Sequence, residues 1–268
     1  MVCAADVIAL VNACIPPAYA EAWDNCGLQV GDGRWPVHKI MVALDPTPAV
    51  VDEAVACGAG FLLTHHPLIF SPLKQVDGET AIGGIIATAC RHQLTLFAAH
   101  TNLDSMAGGL NDLLAERIGL ESLSVLIPDP GGDTHAGLGR IGSLAGAGMT
   151  LEQLATRLKD LLGASGVRFC GDPMSRVKRV ALCTGSGSSL FKQVAVCGVD
   201  AYITGDLKYH EVRDMEAAGI GAVDIGHFPS EHIMVAAVVE KMTQAVKNAG
   251  LPLEVLASRC ESDPFQWV

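Results

Sequence analysis

The sequence predicts an α/β protein built from two similar domains, and three observations support this fold class. Segments with helical periodicity alternate with short apolar segments typical of buried strands. Such alternation is typical of crossover units and a largely parallel sheet. A length of 268 residues accommodates one large domain or two small ones. A faint internal repeat then favours two.

The first helix is predicted over residues 4–15, because Val7, Leu10, Val11 and Cys14 recur at helical spacing and Pro16 follows. In the middle of the chain, Thr150 and Gln153 form a predicted capping box at the start of an amphipathic helix. Gly58 is the predicted stop of an earlier helix. The remaining elements predicted in the first half are strands over 39–44, 61–63 and 94–99 and helices over 48–57 and 78–93.

The repeat has an offset of 140 residues and pairs AVACGAGFLLTHH (54–66) with VAVCGVDAYITGD (194–206). Apolar strands resemble one another, so chance similarity is the alternative. If the repeat is a duplication, it predicts two domains, 1–124 and 125–268, related by a pseudo-two-fold axis. Residues 123–137 would connect them, and the C-terminal helix would pack back on the first domain. The strand ends of the two domains would then meet at a shared cleft, where open α/β sheets bind ligands.

Composition excludes several classes of protein. The net charge of −11 repels nucleic acid and anionic membranes, so neither is expected as a partner. The apolar stretch 54–73 contains two histidines and two prolines, which a lipid-facing helix would not carry. The N-terminus has no basic segment before its apolar residues, so the prediction is a cytoplasmic protein. Nine cysteines without a C-x-x-C pair are interpreted as reduced.

Histidines and carboxylates follow three predicted strands. His65 and His66 come directly after the strand at 61–63, and later strands are followed by His100-x-x-x-Asp104 and His227-x-x-x-Glu231. A spacing of four brings imidazole and carboxylate to one helix face, and this donor pair suits Zn, Fe, Mn or Ni. Two plainer interpretations stay open: the histidines are exposed loop residues, and the two carboxylates cap helices.

Six strings in collinear order resemble the Nif-three-like dinuclear metal-centre family, whose members are described as type 2 homologues of GTP cyclohydrolase I. They are AWDNCGLQVGD (22–32), LTHHPLIF (63–70), AHTNLDSMAGGLND (99–112), TGSG (184–187), ITGDLKYHE (203–211) and DIGHFPSEH (224–232). The resemblance implies a Nif3-like fold of two similar α/β domains with two divalent ions per chain in the cleft between them. It also implies a ring-shaped homohexamer.

Carried over residue by residue, the resemblance implies five metal ligands. His65 would bind one ion and His66 the other. Asp104 would bind one of the two ions and His227 the other, and Glu231 would bridge both. Adjacent histidines on an extended chain point to different sides, which agrees with two neighbouring ions. His100 is assigned outside the ligand set, as an acid–base residue or a hydrogen-bond partner of a ligand, and a buried structural histidine is the alternative.

Two further segments are candidate substrate-binding elements. Gly185, Ser186 and Gly187 lie in a turn before a predicted helix, where backbone N–H groups can hold a phosphate; a plain tight turn is the alternative. In the repeat, Asp206 and His210 belong to the segment that corresponds to the His65–His66 loop, so both are expected to line the cleft; surface residues at the start of an ordinary helix are the alternative.

Two functions follow from these observations. The first is a metal-dependent hydrolase of a nucleotide or another phosphate-bearing small molecule, with GTP cyclohydrolase chemistry as one version. The second is a non-catalytic metal-binding hexamer that binds protein partners or handles metal. Neither the metal nor the substrate is specified by the sequence.

Overall fold

The computed structural model describes residues 1–268 and contains ten α-helices and thirteen strands. The helices are α1 (Ala4–Cys14), α2 (Pro48–Ala56), α3 (Ala81–His92), α4 (Thr101–Ser105), α5 (Leu110–Ile118), α6 (Leu151–Leu162), α7 (Phe191–Val194), α8 (Tyr209–Ala217), α9 (His227–Glu231) and α10 (Ile233–Asn248). The strands are β1 (Gly27–Val30), β2 (Lys39–Ala43), β3 (Phe61–Thr64), β4 (Thr95–Ala98), β5 (Leu120–Pro128), β6 (Gly137–Leu144), β7 (Met149–Thr150), β8 (Arg168–Cys170), β9 (Arg176–Val177), β10 (Arg179–Leu182), β11 (Ala201–Thr204), β12 (Gly221–Asp224) and β13 (Glu254–Ala257). None of the helices is both long and apolar enough to cross a membrane.

The chain forms two compact units whose bounds differ from those expected from the sequence. The first unit contains Met1–Leu103 and Met234–Ser262, and the second contains Asp104–Ile233 and Asp263–Val268. The expected boundary between residues 124 and 125 falls inside β5, which pairs along its length with β6. The expected connection at 123–137 therefore forms most of β5 and the turn into β6. The boundary between the two units follows the pairing of β5 with β6. The amino-acid composition of the segment, on which the expected connection was based, carries no information about strand pairing.

The sheet of the first unit has the order β1-β4-β3-β2-β13. Its strands are parallel except β1, which runs antiparallel to β4. Parallel neighbours need crossovers, which α2 and α3 provide. Helix α2 begins where Thr47 accepts a hydrogen bond from Val50 N and Pro48 occupies the first turn. Because β2, β3 and β4 are parallel, their carboxyl ends lie at one edge of the sheet.

The sheet of the second unit has the order β5-β6-β10-β11-β12-β8 and is more mixed than expected. Only the pairs β10–β11 and β11–β12 are parallel. The short turn between β5 and β6 allows only an antiparallel pair, and β8 lies antiparallel at the other edge. Helix α6 begins with the predicted capping box, in which Gln153 N donates to Thr150 Oγ1 and Thr150 N to Gln153 Oε1.

The repeat seen in the sequence has a structural counterpart. β3 and β11 are the same four-residue strand displaced by 140 positions, and β2 corresponds in the same way to β10. Each unit then adds a third parallel strand, β4 or β12, followed at once by a five-residue helix, α4 or α9. The predicted fold class, two similar α/β domains, is confirmed.

Candidate metal centre

His65 is the first residue beyond β3, and its side chain is completely buried. Its Nδ1 atom lies 2.9 Å from the carbonyl oxygen of Ala99. A carbonyl oxygen only accepts hydrogen bonds, so Nδ1 carries the proton and Nε2 holds the lone pair. The fold therefore fixes the tautomer that binds metal through Nε2.

His66 is oriented by a carboxylate that sequence reasoning missed. Its Nδ1 atom lies 2.7 Å from Oδ1 of Asp45, which follows β2. The backbone N–H groups of Leu44 and Asp45 both donate to the carboxylate of Glu261, at 2.9 Å. Asp45 stands at the carboxyl end of a parallel strand, as His65 and His66 do, and this position is the signal that would have identified it.

Asp24 orients His100, with Oδ1 of Asp24 2.9 Å from Nδ1 of His100. Asp24 is buried, and it also accepts hydrogen bonds from Thr101 N (3.0 Å), Thr101 Oγ1 (2.5 Å) and Cys26 Sγ (2.9 Å). Burial opposes ionisation, but the hydrogen bonds from His100, Cys26 and Thr101 outweigh it and hold the pKa of Asp24 well below its usual value. Asn25 N also donates to Asp24 Oδ1, at 2.7 Å, so the same carboxylate closes a local turn and anchors this loop to His100 and Thr101.

His65, His66 and His100 form the histidine cluster of the first unit. Their ring centroids are 5.0 to 5.6 Å apart, and one ligand nitrogen of each lies within 4.8 Å of those of the other two. The adjacent histidines were expected to face different sides, and His100 was assigned outside the ligand set. The structure gathers all three rings, because β3 and β4 are hydrogen-bonded neighbours whose ends coincide. His100 therefore lies close to both predicted ligands of this unit, His65 and His66.

In the second unit, His227 and Glu231 occupy the two ends of α9. The spacing of four brings His227 Nε2 to 3.0 Å from Glu231 Oε2, as the sequence pattern predicts. On the other side of the ring, Nδ1 of His227 lies 2.7 Å from Oδ2 of Asp206. Asp206 was expected to be a substrate-binding residue, whereas here it holds the imidazole. It does so with a φ of 55°, an unusual backbone conformation for a residue other than glycine.

Asp104 lies in α4 and belongs to the second unit. Asn111, which is fully buried, donates to the Asp104 carbonyl and accepts from Thr184 N, so it links α4 to the end of β10. Burial raises the pKa of the Cys183 thiol, and the negative charges of Asp104 and Glu231 raise it further. Burial, with the two carboxylates adding to its effect, therefore favours the neutral thiol of Cys183.

The turn at Gly185, Ser186 and Gly187 is held by the protein itself. Gly185 N donates to Ser230 Oγ at 2.9 Å, and Gly187 N donates to Thr204 Oγ1 at 2.8 Å. Two of the three N–H groups expected to hold a phosphate therefore already donate to protein oxygens. Of the three residues of the turn, only Ser186 is exposed. The geometry is that of the plain tight turn, followed by a 3-10 helix of only three residues.

Gly185 has a separate role beside Glu231. It has a φ of 61°, and a Cβ atom at this position would stand 2.0 Å from Glu231 Oε1 and 3.3 Å from His227 Nε2. A glycine here leaves the space next to both predicted ligands open.

His210 is not brought to these residues. It lies exposed in the first turn of α8, where its ring contacts that of Tyr209 at a centroid distance of 5.3 Å. It makes no hydrogen bond or ion pair with the other predicted site residues of the second unit.

The donor set fits a divalent transition metal. Four imidazoles each face a carboxylate or carbonyl oxygen through Nδ1, which is the arrangement that orients metal-binding histidines. Fold and site together define a mixed α/β protein with candidate imidazole and carboxylate metal-binding clusters at the ends of its parallel strands.

Comparison with known proteins identifies the family. The sequence profile of the Duf34/NIF3 (NGG1p interacting factor 3) family matches residues 2–264, and the chain belongs to this family. The chain is 36% identical over 263 residues to a Clostridium perfringens protein named GTP cyclohydrolase 1 type 2 homolog, with 98% of each chain covered.

Two solved structures show the same fold. A Bacillus cereus protein related to NIF3 superimposes with a TM-score of 0.92 at 28% identity, over 99% of each chain. Reduced HcgD from Methanocaldococcus jannaschii gives a TM-score of 0.78 at 30% identity, over 95% of this chain and 97% of that one.

Proposed function

We propose that this protein binds two divalent ions per chain, of Zn, Fe, Mn or Ni, and uses them to hydrolyse a nucleotide or a related phosphate-bearing small molecule. The observation that carries the proposal is the fixed orientation of the four imidazoles, each with its Nδ1 atom 2.7 to 2.9 Å from a carboxylate or carbonyl oxygen, which is the arrangement that orients metal-binding histidines. The ligands are those implied by the resemblance: His65, His66, Asp104, His227 and Glu231.

Ions bound by imidazole and carboxylate lower the pKa of water, which makes hydroxide available near neutral pH. The chain's own residues then orient the ligands and move protons. Asp45, Asp24 and Asp206 fix the rings of His66, His100 and His227. His100 lies within the histidine cluster and is partly exposed, so it is placed to accept or donate a proton at its Nε2 atom.

The substrate class is supported by two considerations. The relatives' name, GTP cyclohydrolase 1 type 2 homolog, points to a nucleotide. With a net charge of −11, the chain as a whole repels anions, so attraction of an anionic substrate would fall to the bound ions.

The test is turnover of a panel of nucleotides and phosphate esters by protein loaded with Zn, Fe, Mn or Ni. We expect hydrolysis that requires metal, increases with pH through the pKa of bound water, and falls by orders of magnitude in His66→Ala. His100→Ala should slow turnover and retain most of the metal. If no compound is hydrolysed above the His66→Ala background, the catalytic proposal fails and the non-catalytic metal-binding role takes its place.

The homohexamer implied by the resemblance is part of the same proposal. Light scattering at micromolar concentration should report six times the mass of the chain. A monomer under these conditions would contradict it.

A further inference from the structure

Two large aromatic side chains are exposed beside the histidine cluster. Trp23 is 61% exposed and Phe70 is 60% exposed, although aromatic residues make up only 5% of the chain. Their ring centroids are 6.1 Å apart with an interplanar angle of 57°. The Trp23 ring is also 6.3 Å from the His100 ring, edge to face. The pair therefore borders the candidate metal site within the first unit.

Polar contacts hold the two aromatic segments together. Asn25 Nδ2 donates to the carbonyl of Ile69 at 2.6 Å, and Ile69 N donates to Gln29 Oε1 at 3.1 Å. Gln29 Nε2 in turn donates to the Asn25 carbonyl at 2.7 Å. Ile69 is the neighbour of Phe70 and Asn25 is close to Trp23, so this network fixes the segments that carry both rings.

The same loop is tied to the imidazoles. Asp24, next to Trp23, binds His100 and Thr101, and Phe70 lies four residues beyond His66 on the loop that follows β3. The position of the aromatic pair relative to the histidine cluster is therefore set by hydrogen bonds rather than by apolar packing alone. Exposed aromatic side chains that are held in a fixed position are typical of a binding site.

We propose that Trp23 and Phe70 form a stacking site for the planar base of a nucleotide whose phosphate reaches the histidine cluster. The inference rests on the proposed function, because it names the substrate class of that site. A nucleotide carries its base and its phosphate at opposite ends of one sugar, which matches an aromatic pair next to a metal site. Stacking is tolerant of base identity, so the proposal commits to nucleotides and not to a particular base.

The test is calorimetric titration of metal-loaded protein with AMP, GMP, ribose 5-phosphate and inorganic phosphate. We expect the wild type to bind both nucleotides at least about tenfold more tightly than ribose 5-phosphate, since one stacked base contributes about that much. Trp23→Ala and Phe70→Ala should remove this preference and leave the affinity for ribose 5-phosphate unchanged. Trp23→Phe should retain most of it, and Phe265→Ala, which removes another exposed aromatic ring, should have no effect.

Equal affinity of the wild type for AMP, GMP and ribose 5-phosphate would overturn the stacking site, as would an unchanged preference in both alanine variants. A change of mass in light scattering with nucleotide affinity intact would show that the pair contacts another subunit instead. Metal content is measured on the same samples and no turnover is required. Absence of a nucleotide preference in wild-type protein with full metal content is therefore failure of this inference alone, whereas a wild type that takes up no metal is failure of the proposed function. Circular dichroism of Phe70→Ala, an exposed loop variant, controls for folding.

Discussion

Asp45 Oδ1 lies 2.7 Å from His66 Nδ1, which makes a carboxylate the orienting partner of a candidate metal ligand. The relationship recurs at Asp24 with His100 and at Asp206 with His227. A carboxylate at Nδ1 fixes the ring and makes Nε2 a stronger donor to metal. Three such pairs in one chain are a better indication of a metal-binding role than the histidines alone.

Asp45→Ala should weaken metal binding by about tenfold to a hundredfold, because His66 loses the group that orients its ring. Asp45→Asn keeps a hydrogen-bond acceptor and should have a smaller effect. Competition with a chromogenic chelator measures the affinity. Asp52→Ala removes an exposed carboxylate on α2 and should match the wild type. The orienting role is wrong if Asp45→Ala and Asp52→Ala bind metal equally well.

Gly185→Ala should lose metal and stability, because the new Cβ atom would stand 2.0 Å from Glu231 Oε1. Gly198→Ala is the matched control, since Gly198 has a nearly equal φ of 64° but no atom within 4 Å of a Cβ. Both variants carry the left-handed backbone cost of about 1–2 kcal/mol. Only Gly185→Ala should lower metal content in elemental analysis. Similar metal content in the two variants would rule out a role for this space.

Glu231→Gln should weaken both ions, whereas Asp104→Asn should weaken mainly one, because the resemblance implies that only Glu231 bridges. Elemental analysis after stepwise dialysis against a chelator counts the ions retained. Loss of one ion in each variant would mean that Glu231 does not bridge. If the wild type takes up no metal even after reconstitution, the ligand assignment itself is incorrect.

Glu53→Gln should destabilise the protein at neutral pH but not in acid. Burial opposes ionisation of Glu53, but hydrogen bonds from Ser258, Cys260 and Arg259 N outweigh it, so its pKa lies below the usual value. A lowered folded pKa contributes stability above the unfolded value of about 4.3, and this contribution is lost as the pH falls through the folded pKa. Urea denaturation of wild type and variant should therefore differ at pH 7, and the difference should disappear as the pH falls through the lowered pKa of Glu53.

The exposed Glu79→Gln serves as the control for this pH effect. A difference between wild type and Glu53→Gln that is constant from pH 7 to pH 3 would show that the loss is not due to the charge.

Asp112→Asn should lower the free energy of unfolding by about 3–5 kcal/mol, because it leaves the buried Arg140 guanidinium without its counter-charge. Arg140 is 2% exposed and forms a bidentate pair with Asp112, at 2.5 and 2.9 Å. Glu216→Gln breaks the exposed Arg213–Glu216 pair and should cost less than about 1 kcal/mol. Chemical denaturation measures both losses. Equal decreases in the free energy of unfolding for Asp112→Asn and Glu216→Gln would show that burial does not set the strength of an ion pair.

The sequence by itself determined the features that depend on local spacing. Strand β3 ends where the apolar run ends, so the position of His65 and His66 at a strand end could be read directly. The four-residue spacing of His227 and Glu231 brought their side chains together within one short helix. The offset of 140 residues predicted that β3 and β11 are equivalent strands.

Only the tertiary structure decided which distant residues meet. Asp45 reaches His66, and Asp24 reaches His100, because parallel neighbouring strands and a distant loop converge at one sheet edge. The amides of Gly185 and Gly187 were expected to hold a phosphate, but they donate to Ser230 and Thr204, which are 45 and 17 residues away. A sequence pattern reports the periodicity of one element, whereas hydrogen bonds between elements depend on strand order and register, which no local spacing specifies.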